Sequence, residues 1–223
     1  MIPWLRRDDP FPPVETALAE PNGLLAAGAD LSVPRLLAAY RRGIFPWYSP
    51  GQPVLWWSPD PRAVLFPAEF RRNRSLAKSE RNRGYETRLD GDFGAIIDHC
   101  AAPRDYAQGT WITPEMRAAY VALHRLGRAH SVETWCEGEV VGGLYGVQLG
   151  RVFFGESMFS RRTDASKVAL ARLVAECQLR GIVAIDCQMH TPHLQSLGSK
   201  LLPRHEFVAL LAREANAAVP DAW

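Results

Sequence analysis

Four polar side chains have the types and the spacing for acyl-transfer chemistry. Glu156 and Ser157 follow one apolar segment, and Asp186 and Gln188 follow another. Polar groups at the ends of buried strands are costly to leave unpaired, so they either hydrogen-bond locally or line a site. The ends of the two segments therefore mark a candidate site.

The second pair suggests how an amine would be handled. Side chains two residues apart on a strand point to the same face, so we expect Asp186 and Gln188 to lie side by side. A carboxylate can fix the orientation of a neighbouring amide and make its oxygen a better acceptor. Together the two groups could hold an attacking amine and partly deprotonate it.

Other chemistries fit the pattern less well. A nucleophilic serine has no Gly-x-Ser-x-Gly motif to support it. Cys187 lies beside an acid, which disfavours the thiolate. Asp186, His190 and His193 could bind a metal, but lone histidines after a strand more often hydrogen-bond locally. We expect no metal site, and the two histidines have no predicted role.

The elements that must position these groups follow one another between residues 139 and 188. The pattern predicts a strand at 140–147, a turn at 148–150, a strand at 151–154 that ends in the polar residues 155–158, a helix at 165–180 and a short buried strand at 182–185. Gly181 suits the position just after the helix.

The same order of elements occurs in acyl-CoA N-acyltransferases. Their phosphate loop before the helix is rich in glycine, so that backbone amides reach the pyrophosphate. Here the loop reads Ser160-Arg161-Arg162-Thr163-Asp164, without glycine. Coenzyme A is therefore disfavoured, whereas acyl transfer remains open.

The rest of the chain predicts an α+β fold. From about residue 61, strands and helices alternate irregularly, which is typical of a mixed sheet flanked by helices. Residues 1–60 are rich in proline and aromatic residues. We expect a small N-terminal domain at 1–60 and a larger domain at 61–223.

Composition limits the protein class. The chain has 223 residues, 47% of them hydrophobic, and a net charge of +2. No apolar run reaches the roughly 18 residues of a membrane span, and the N-terminus lacks the apolar core of a signal peptide. The four cysteines show no CxxC spacing, which favours reduced thiols in a cytoplasmic protein.

Two surface features have alternative interpretations. The segment 71–83 holds six basic residues against one acid, and it is either a solvated helix face or a phosphate-binding patch. The basic residues are Arg71, Arg72, Arg74, Lys78, Arg81 and Arg83. The aromatic residues of the first 60 positions either pack a small core or form the wall of a groove.

Motifs along nearly the whole chain point to one family. They are Pro21-Asn22-Gly23-Leu24-Leu25, Tyr40-Arg41-Arg42-Gly43-Ile44-Phe45-Pro46-Trp47, Trp56-Trp57-Ser58-Pro59-Asp60-Pro61-Arg62, Gly109-Thr110-Trp111-Ile112-Thr113, Gly155-Glu156-Ser157-Met158-Phe159-Ser160-Arg161, Ala165-Ser166-Lys167, Ile185-Asp186-Cys187-Gln188 and Ser196-Leu197-Gly198. In this order they resemble the motifs of the bacterial leucyl/phenylalanyl-tRNA–protein transferase family.

The resemblance implies a small N-terminal domain and a larger acyl-CoA N-acyltransferase-like domain. It also implies transfer of Leu or Phe, and less well Met, from aminoacyl-tRNA to proteins that begin with Arg or Lys. The product would be a degradation signal of the N-end rule. Neither a metal nor a coenzyme is implied, and we expect a cytoplasmic monomer.

The resemblance also implies roles for the site residues. Asp186 would orient Gln188, which would position and deprotonate the acceptor α-amine, while Glu156 would bind a cationic group of one substrate. Other residues would contact the aminoacyl-tRNA: Phe153, Ser157 and Met158 at the Leu/Phe side chain, and Tyr40, Trp47, Trp111 and Tyr120 at the terminal adenosine. The cluster 71–83, with Arg41, Arg42, Arg161 and Arg162, would contact tRNA phosphates.

Two other functions remain alternatives for the sequence alone. One is an N-acyltransferase that uses coenzyme A on a small molecule. The other is a non-catalytic module that binds tRNA or another RNA.

Overall fold

A computed structural model describes residues 2–102, 110–218 and 223. Gly109, the first residue of one family motif, lies outside the described residues. The chain forms two β-sheets with helices packed against them. Within the described part of the chain, no helix is both long and apolar enough to cross a lipid bilayer.

The first 57 residues build a four-stranded sheet in the order β1-β2-β4-β3. Its strands are β1 (Trp4–Leu5), β2 (Leu24–Gly28), β3 (Phe45–Pro46) and β4 (Leu55–Trp57), and helix α1 (Val33–Tyr40) lies between β2 and β3 in the chain. Trp56 is fully buried and meets the Phe11 ring edge-on at 4.8 Å. Large aromatic side chains thus supply the buried area that a unit of this size needs.

A seven-stranded sheet follows, in the order β11-β5-β10-β9-β8-β7-β6. The strands are β5 (Arg62–Leu65), β6 (Glu86–Leu89), β7 (Ala129–Cys136), β8 (Glu139–Leu149), β9 (Val152–Ser160), β10 (Ala184–Gln188) and β11 (Lys200–Leu202). The helices are α2 (Arg74–Asn82), α3 (Phe93–Ala101), α4 (Pro114–Arg125), α5 (Ala165–Leu179), α6 (Pro192–Ser196) and α7 (Arg204–Glu214). Strands β9 and β10 are parallel and the other neighbours are antiparallel, so the sheet is mixed.

Helices cover both faces of this sheet. Adjacent residues of β9 show the division, because Phe153 packs with α5 while Phe154 packs with α1, α3 and α4. The apolar cluster that contains Phe154 also contains Phe11 and Trp56, so it is continuous with the aromatic core of the N-terminal sheet. The predicted α+β fold with a mixed sheet flanked by helices is confirmed.

Several element boundaries differ from the prediction. Strand β9 does not end at Phe154 but runs to Ser160, because β8 is long enough to pair with it over that length. Strand β10 begins at Ala184 and includes Asp186 and Gln188. The short elements α6 and β11 were not predicted, since a few residues carry too little periodicity to reveal them.

Candidate active site

Glu156 lies in the middle of β9, where the strand is irregular. The register with β8 passes from Tyr145 opposite Ser157 to Gly146 opposite Gly155, so Glu156 is the extra residue of a β-bulge. Gly146 permits this close approach, because a Cβ there would lie 2.2 Å from the Phe154 carbonyl oxygen. The Glu156 side chain lies on the face that α1 and α4 cover, where it meets Tyr40 and Tyr120.

The Glu156 carboxyl is buried within a network of hydroxyl groups. The Tyr40 hydroxyl lies 2.8 Å from Oε1, the Tyr120 hydroxyl lies 2.7 Å from Oε2, and the two hydroxyls are 2.6 Å apart. These three contacts need three hydrogens. The two tyrosine hydroxyls supply two, and an ionised Glu156 carboxylate supplies none. A protonated carboxyl would supply the third hydrogen.

The raised pKa of Glu156 agrees with a carboxyl group that can hold a proton near neutral pH. Burial raises the pKa to about 7, and hydrogen bonds from Tyr120 and Tyr40 only partly oppose that effect. The group therefore changes charge near neutral pH, where both of its forms are populated.

Asp186 is also buried, but its charge has a partner. Arg62 donates from Nε to Oδ1 at 2.8 Å and from Nη2 to Oδ2 at 2.7 Å, and both side chains are at most 1% exposed. The third guanidinium nitrogen donates to the Gly43 carbonyl at 3.2 Å. This two-pronged contact gives the buried carboxylate the compensating charge that it requires.

Gln188 joins the two acids. Its backbone N–H donates to Asp186 Oδ1 at 2.8 Å, and its side-chain Nε2 donates to Glu156 Oε1 at 3.1 Å. The register of β10 shifts between Asp186 and Gln188, and Gln188 has a φ of +60°. Asp186 therefore contacts the Gln188 backbone, and the Gln188 side-chain amide contacts Glu156, while orientation of that amide by Asp186 stays a prediction.

An apolar cavity of about 90 Å³ lies beside Glu156. Its walls include Leu144, Met158, Leu170, Leu173, Ile185, Cys187 and Leu194, with Gly155, Glu156, Ser157 and Asp186 at the polar side. A mostly apolar cavity next to a few convergent polar groups is typical of a binding site.

The chain matches the family model described as leucyl/phenylalanyl-tRNA protein transferase over residues 64–212. The model of that family's N-terminal domain matches residues 29–60. The chain belongs to this family. It therefore transfers leucine or phenylalanine from tRNA to protein, as an aminoacyltransferase, and the two alternative functions are set aside.

Individual relatives are similar along the whole chain. The transferase of Azoarcus sp. (strain BH72) is 61% identical over 222 residues, which cover 100% of this chain and 94% of that protein. The transferase of Pseudomonas entomophila (strain L48) is 59% identical, with coverage of 100% and 99%. A GCN5-related N-acetyltransferase from Kribbella flavida is a more distant structural neighbour, 12% identical, with a TM-score of 0.41 and coverage of 75% and 59%.

Of the three residues predicted to contact the aminoacyl side chain, two line the cavity and one does not. Met158 and Ser157 line the cavity. Phe153 does not, because its ring is fully buried in the α5 side of the core, 5.6 Å from the Trp223 ring. It belongs to the same apolar cluster as the cavity walls Leu144 and Ile185, so its place in a Leu/Phe pocket stays a prediction.

Of the four aromatic residues predicted to contact the terminal adenosine, two are buried and two are accessible. Tyr40 and Tyr120 are 0% and 1% exposed, so their rings cannot stack on a base, and the prediction for them is wrong. Trp47 is 43% exposed and Trp111 is half-buried. The Tyr48 hydroxyl contacts Thr113 Oγ1 at 3.1 Å, which joins the segments that carry these two tryptophans.

The Glu156 carboxyl is hydrogen-bonded to other residues of the transferase. Both of its oxygens already accept hydrogen bonds from buried groups of the transferase. A substrate cation would have to compete with those donors, so binding of such a cation by Glu156 stays a prediction.

The basic residues of the transferase fall into two groups. All six at 71–83 are exposed, on or beside α2, and Arg72 is paired with Glu80 at 2.5 Å. Arg42 instead donates to the carbonyls of Phe11 and Pro12, and Arg162 pairs with Glu137. These last two side chains hold local structure, whereas contact of the first group with tRNA stays a prediction.

A metal site at Asp186, His190 and His193 is not formed, because Arg62 occupies both Asp186 oxygens. Among the described residues, potential ligand atoms come close together at Asp90, His124 and His130. That cluster is hydrogen-bonded internally, with His130 Nδ1 2.7 Å from Asp90 Oδ2. It contains none of the predicted site residues.

Arg62 was quoted in a family motif but was not predicted as a site residue. One signal could have found it: a charged residue directly before the apolar run Ala63-Val64-Leu65 requires a buried partner if the strand is internal. Periodicity does not reveal which acid that partner is.

Proposed function

We propose that the transferase moves Leu or Phe, and less readily Met, from aminoacyl-tRNA to the N-terminal Arg or Lys of acceptor proteins. The product is a degradation signal of the N-end rule. The enzyme acts as a monomer in the cytoplasm, where charged tRNA is made. The observation that carries the proposal is that Glu156, which lines an apolar cavity, accepts a hydrogen bond from the Gln188 amide.

The cavity is suited to the side chain of the aminoacyl ester. Its apolar walls and volume of about 90 Å³ fit an unbranched or branched aliphatic group or a ring. Apolar pockets discriminate only weakly among groups of similar size. A preference that includes Leu, Phe and Met follows from such walls.

Gln188 aims the acceptor amine. A carboxylate only accepts hydrogen bonds, so Glu156 fixes the Gln188 amide with its nitrogen inward. The amide oxygen is then presented to the α-amine of the acceptor. The neutral amine attacks the ester carbonyl, the new C–N bond forms, the C–O bond to the ribose breaks, and the amine proton leaves with the tRNA 3′ oxygen.

Positioning supplies most of the rate in this scheme. An aminoacyl ester is already reactive, and fixing two reactants in attack geometry is worth up to about 7–11 kcal/mol. Exposed Trp47 and half-buried Trp111 flank the terminal adenosine, and stacking on each contributes about 1–3 kcal/mol.

The test is transfer of radiolabelled Leu from charged tRNA to a peptide that begins with Arg. We expect transfer to this peptide and to its Lys counterpart, and none to a peptide that begins with Glu. Gln188→Ala should lower the transfer rate at least tenfold while the Kd for aminoacyl-tRNA stays within about twofold. Equal transfer by Gln188→Ala would refute the role of the amide.

A further inference from the structure

We propose that Arg62 is a positioning residue of the transferase reaction. Through Asp186 it holds the Gln188 backbone in the conformation that points the Gln188 amide at Glu156. The inference rests on the proposed function of Gln188 in aiming the amine.

The first step is the shared oxygen of Asp186. Asp186 Oδ1 accepts from Arg62 Nε at 2.8 Å and from the Gln188 backbone N–H at 2.8 Å. The position of one carboxylate oxygen thus links the guanidinium to the Gln188 backbone. Since Asp186 is fully buried, no water competes for that oxygen.

The second step is the unusual backbone of Gln188. A residue with a side chain is strained at a φ of +60°, so something must hold Gln188 there. The bond to Asp186 does so from one end, and the Nε2 bond to Glu156 does so from the other. Release of the first would let Gln188 relax toward extended backbone and withdraw its amide from Glu156.

The third step is the anchor of Arg62 itself. Its guanidinium lies over the Phe45 ring at 4.7 Å and over the Phe207 ring at 5.0 Å, and it donates to the Gly43 carbonyl. Gly43 and Phe45 belong to the N-terminal segment, and Phe207 belongs to α7. Parts of the chain that are distant in sequence therefore hold Arg62 in place, and Arg62 in turn holds the Asp186 carboxylate.

Arg62→Lys tests the inference, because lysine keeps the charge but cannot make the two-pronged contact. Arg35→Lys is the matched control: Arg35 is also buried, lies over the Phe11 ring at 4.8 Å and donates to carbonyls of residues 6, 7 and 9, away from the site. At matched Tm, we expect kcat of Arg62→Lys to fall about 10–100-fold. The Kd for aminoacyl-tRNA should stay within about twofold, and Arg35→Lys should keep its kcat.

A second measurement separates positioning from general destabilisation. In an Asp186→Ala background, Arg62→Lys should lower kcat by less than about threefold, because alanine lacks the oxygen that joins Arg62 to Gln188. If Arg62→Lys does not fold, Phe45→Leu removes one ring beneath the guanidinium and should lower kcat about threefold or more. Wild-type kcat in either single variant, or full independent losses in the double variant, would overturn the inference. Failure of the wild-type protein to transfer Leu would instead refute the proposed function.

Discussion

Glu156 is the residue whose charge controls the local structure of the site. Its carboxyl accepts from two tyrosines and from Gln188, and burial raises its pKa to about 7. Above that pH the carboxylate is a strong acceptor for the Gln188 amide, and below it the proton completes the contacts among Glu156, Tyr40 and Tyr120.

Glu156 should make stability depend on pH. Because its pKa is higher in the native state than the ordinary 4.5, the native state keeps a proton that the unfolded state loses. This contribution is present below pH 4.5 and disappears as pH rises to about 7, in total about 3 kcal/mol. Urea unfolding at pH 5 and pH 8 should show that Glu156→Gln lacks this decrease. Parallel pH dependence of the two proteins would contradict the raised pKa.

Gly155 should set the size limit of the cavity. A Cβ at this position would touch only the Asp186 carbonyl oxygen, at 3.4 Å, so Gly155→Ala should fold and reduce the space at the cavity wall. We expect kcat/KM for Phe to fall about tenfold relative to Leu. Gly94→Ala, in helix α3, is the control and should keep the ratio of the wild-type enzyme. An unchanged Phe/Leu ratio in Gly155→Ala would exclude this position from the pocket wall.

At the scale of elements, two strand irregularities create the site. The extra residue in β9 is Glu156, and the register shift between β10 and β5 makes Cys187 the extra residue in β10. Bulges re-aim side chains that regular pleating would send to alternate faces. The two bulges lie on neighbouring parallel strands, at the point where the Glu156 carboxyl and the Gln188 amide meet.

Helix α2 should supply part of the attraction for tRNA. Replacing Arg71, Arg74 and Lys78 with Ala removes three exposed cations, and the slope of log K against log salt should fall by about 2–3. Filter binding at several salt concentrations measures the slope. Ala at the exposed Arg125, Arg128 and Arg213 makes the same change in net charge and is the control. Equal slopes in the two triple variants would remove α2 from the interface.

At the scale of the whole molecule, the N-terminal residues complete the site of the larger sheet. Tyr40 reaches Glu156, and the Gly43 carbonyl and the Phe45 ring contact Arg62. We propose that the chain divides near Asp60-Pro61 into the domains 1–60 and 61–223, since the four-stranded sheet ends at Trp57 and β5 begins at Arg62. The aromatic core of the first is nevertheless continuous with the core of the second.

This shared core predicts that the two domains unfold together. Scanning calorimetry should show one transition. Trp56→Leu should move the whole transition to lower temperature, because the cavity that it leaves lowers the free energy of unfolding. Reducing a large buried aromatic residue to Ala costs about 3–5 kcal/mol. Activity and heat absorption should be lost at the same temperature. Two separated transitions, in the wild type or in the variant, would show that the domains are independently stable.

The sequence by itself determined the family, the α+β fold and the identity of Glu156, Asp186 and Gln188 as site residues to examine. Local signals suffice for these, because apolar periodicity, helix caps and motifs are written in consecutive residues. Thr113, for example, caps α4 by accepting from the Met116 N–H, and Thr followed by Pro114 and Glu115 is a helix-start pattern of consecutive residues.

Only the tertiary structure decided which acid contacts the Gln188 side chain. The answer depends on two bulges, on a φ of +60° and on Arg62, which lies 124 residues from its partner Asp186. It also decided that Tyr40 and Tyr120 are buried partners of Glu156. Strand register and burial arise from pairing between distant segments, so the pattern of neighbouring residues cannot fix them.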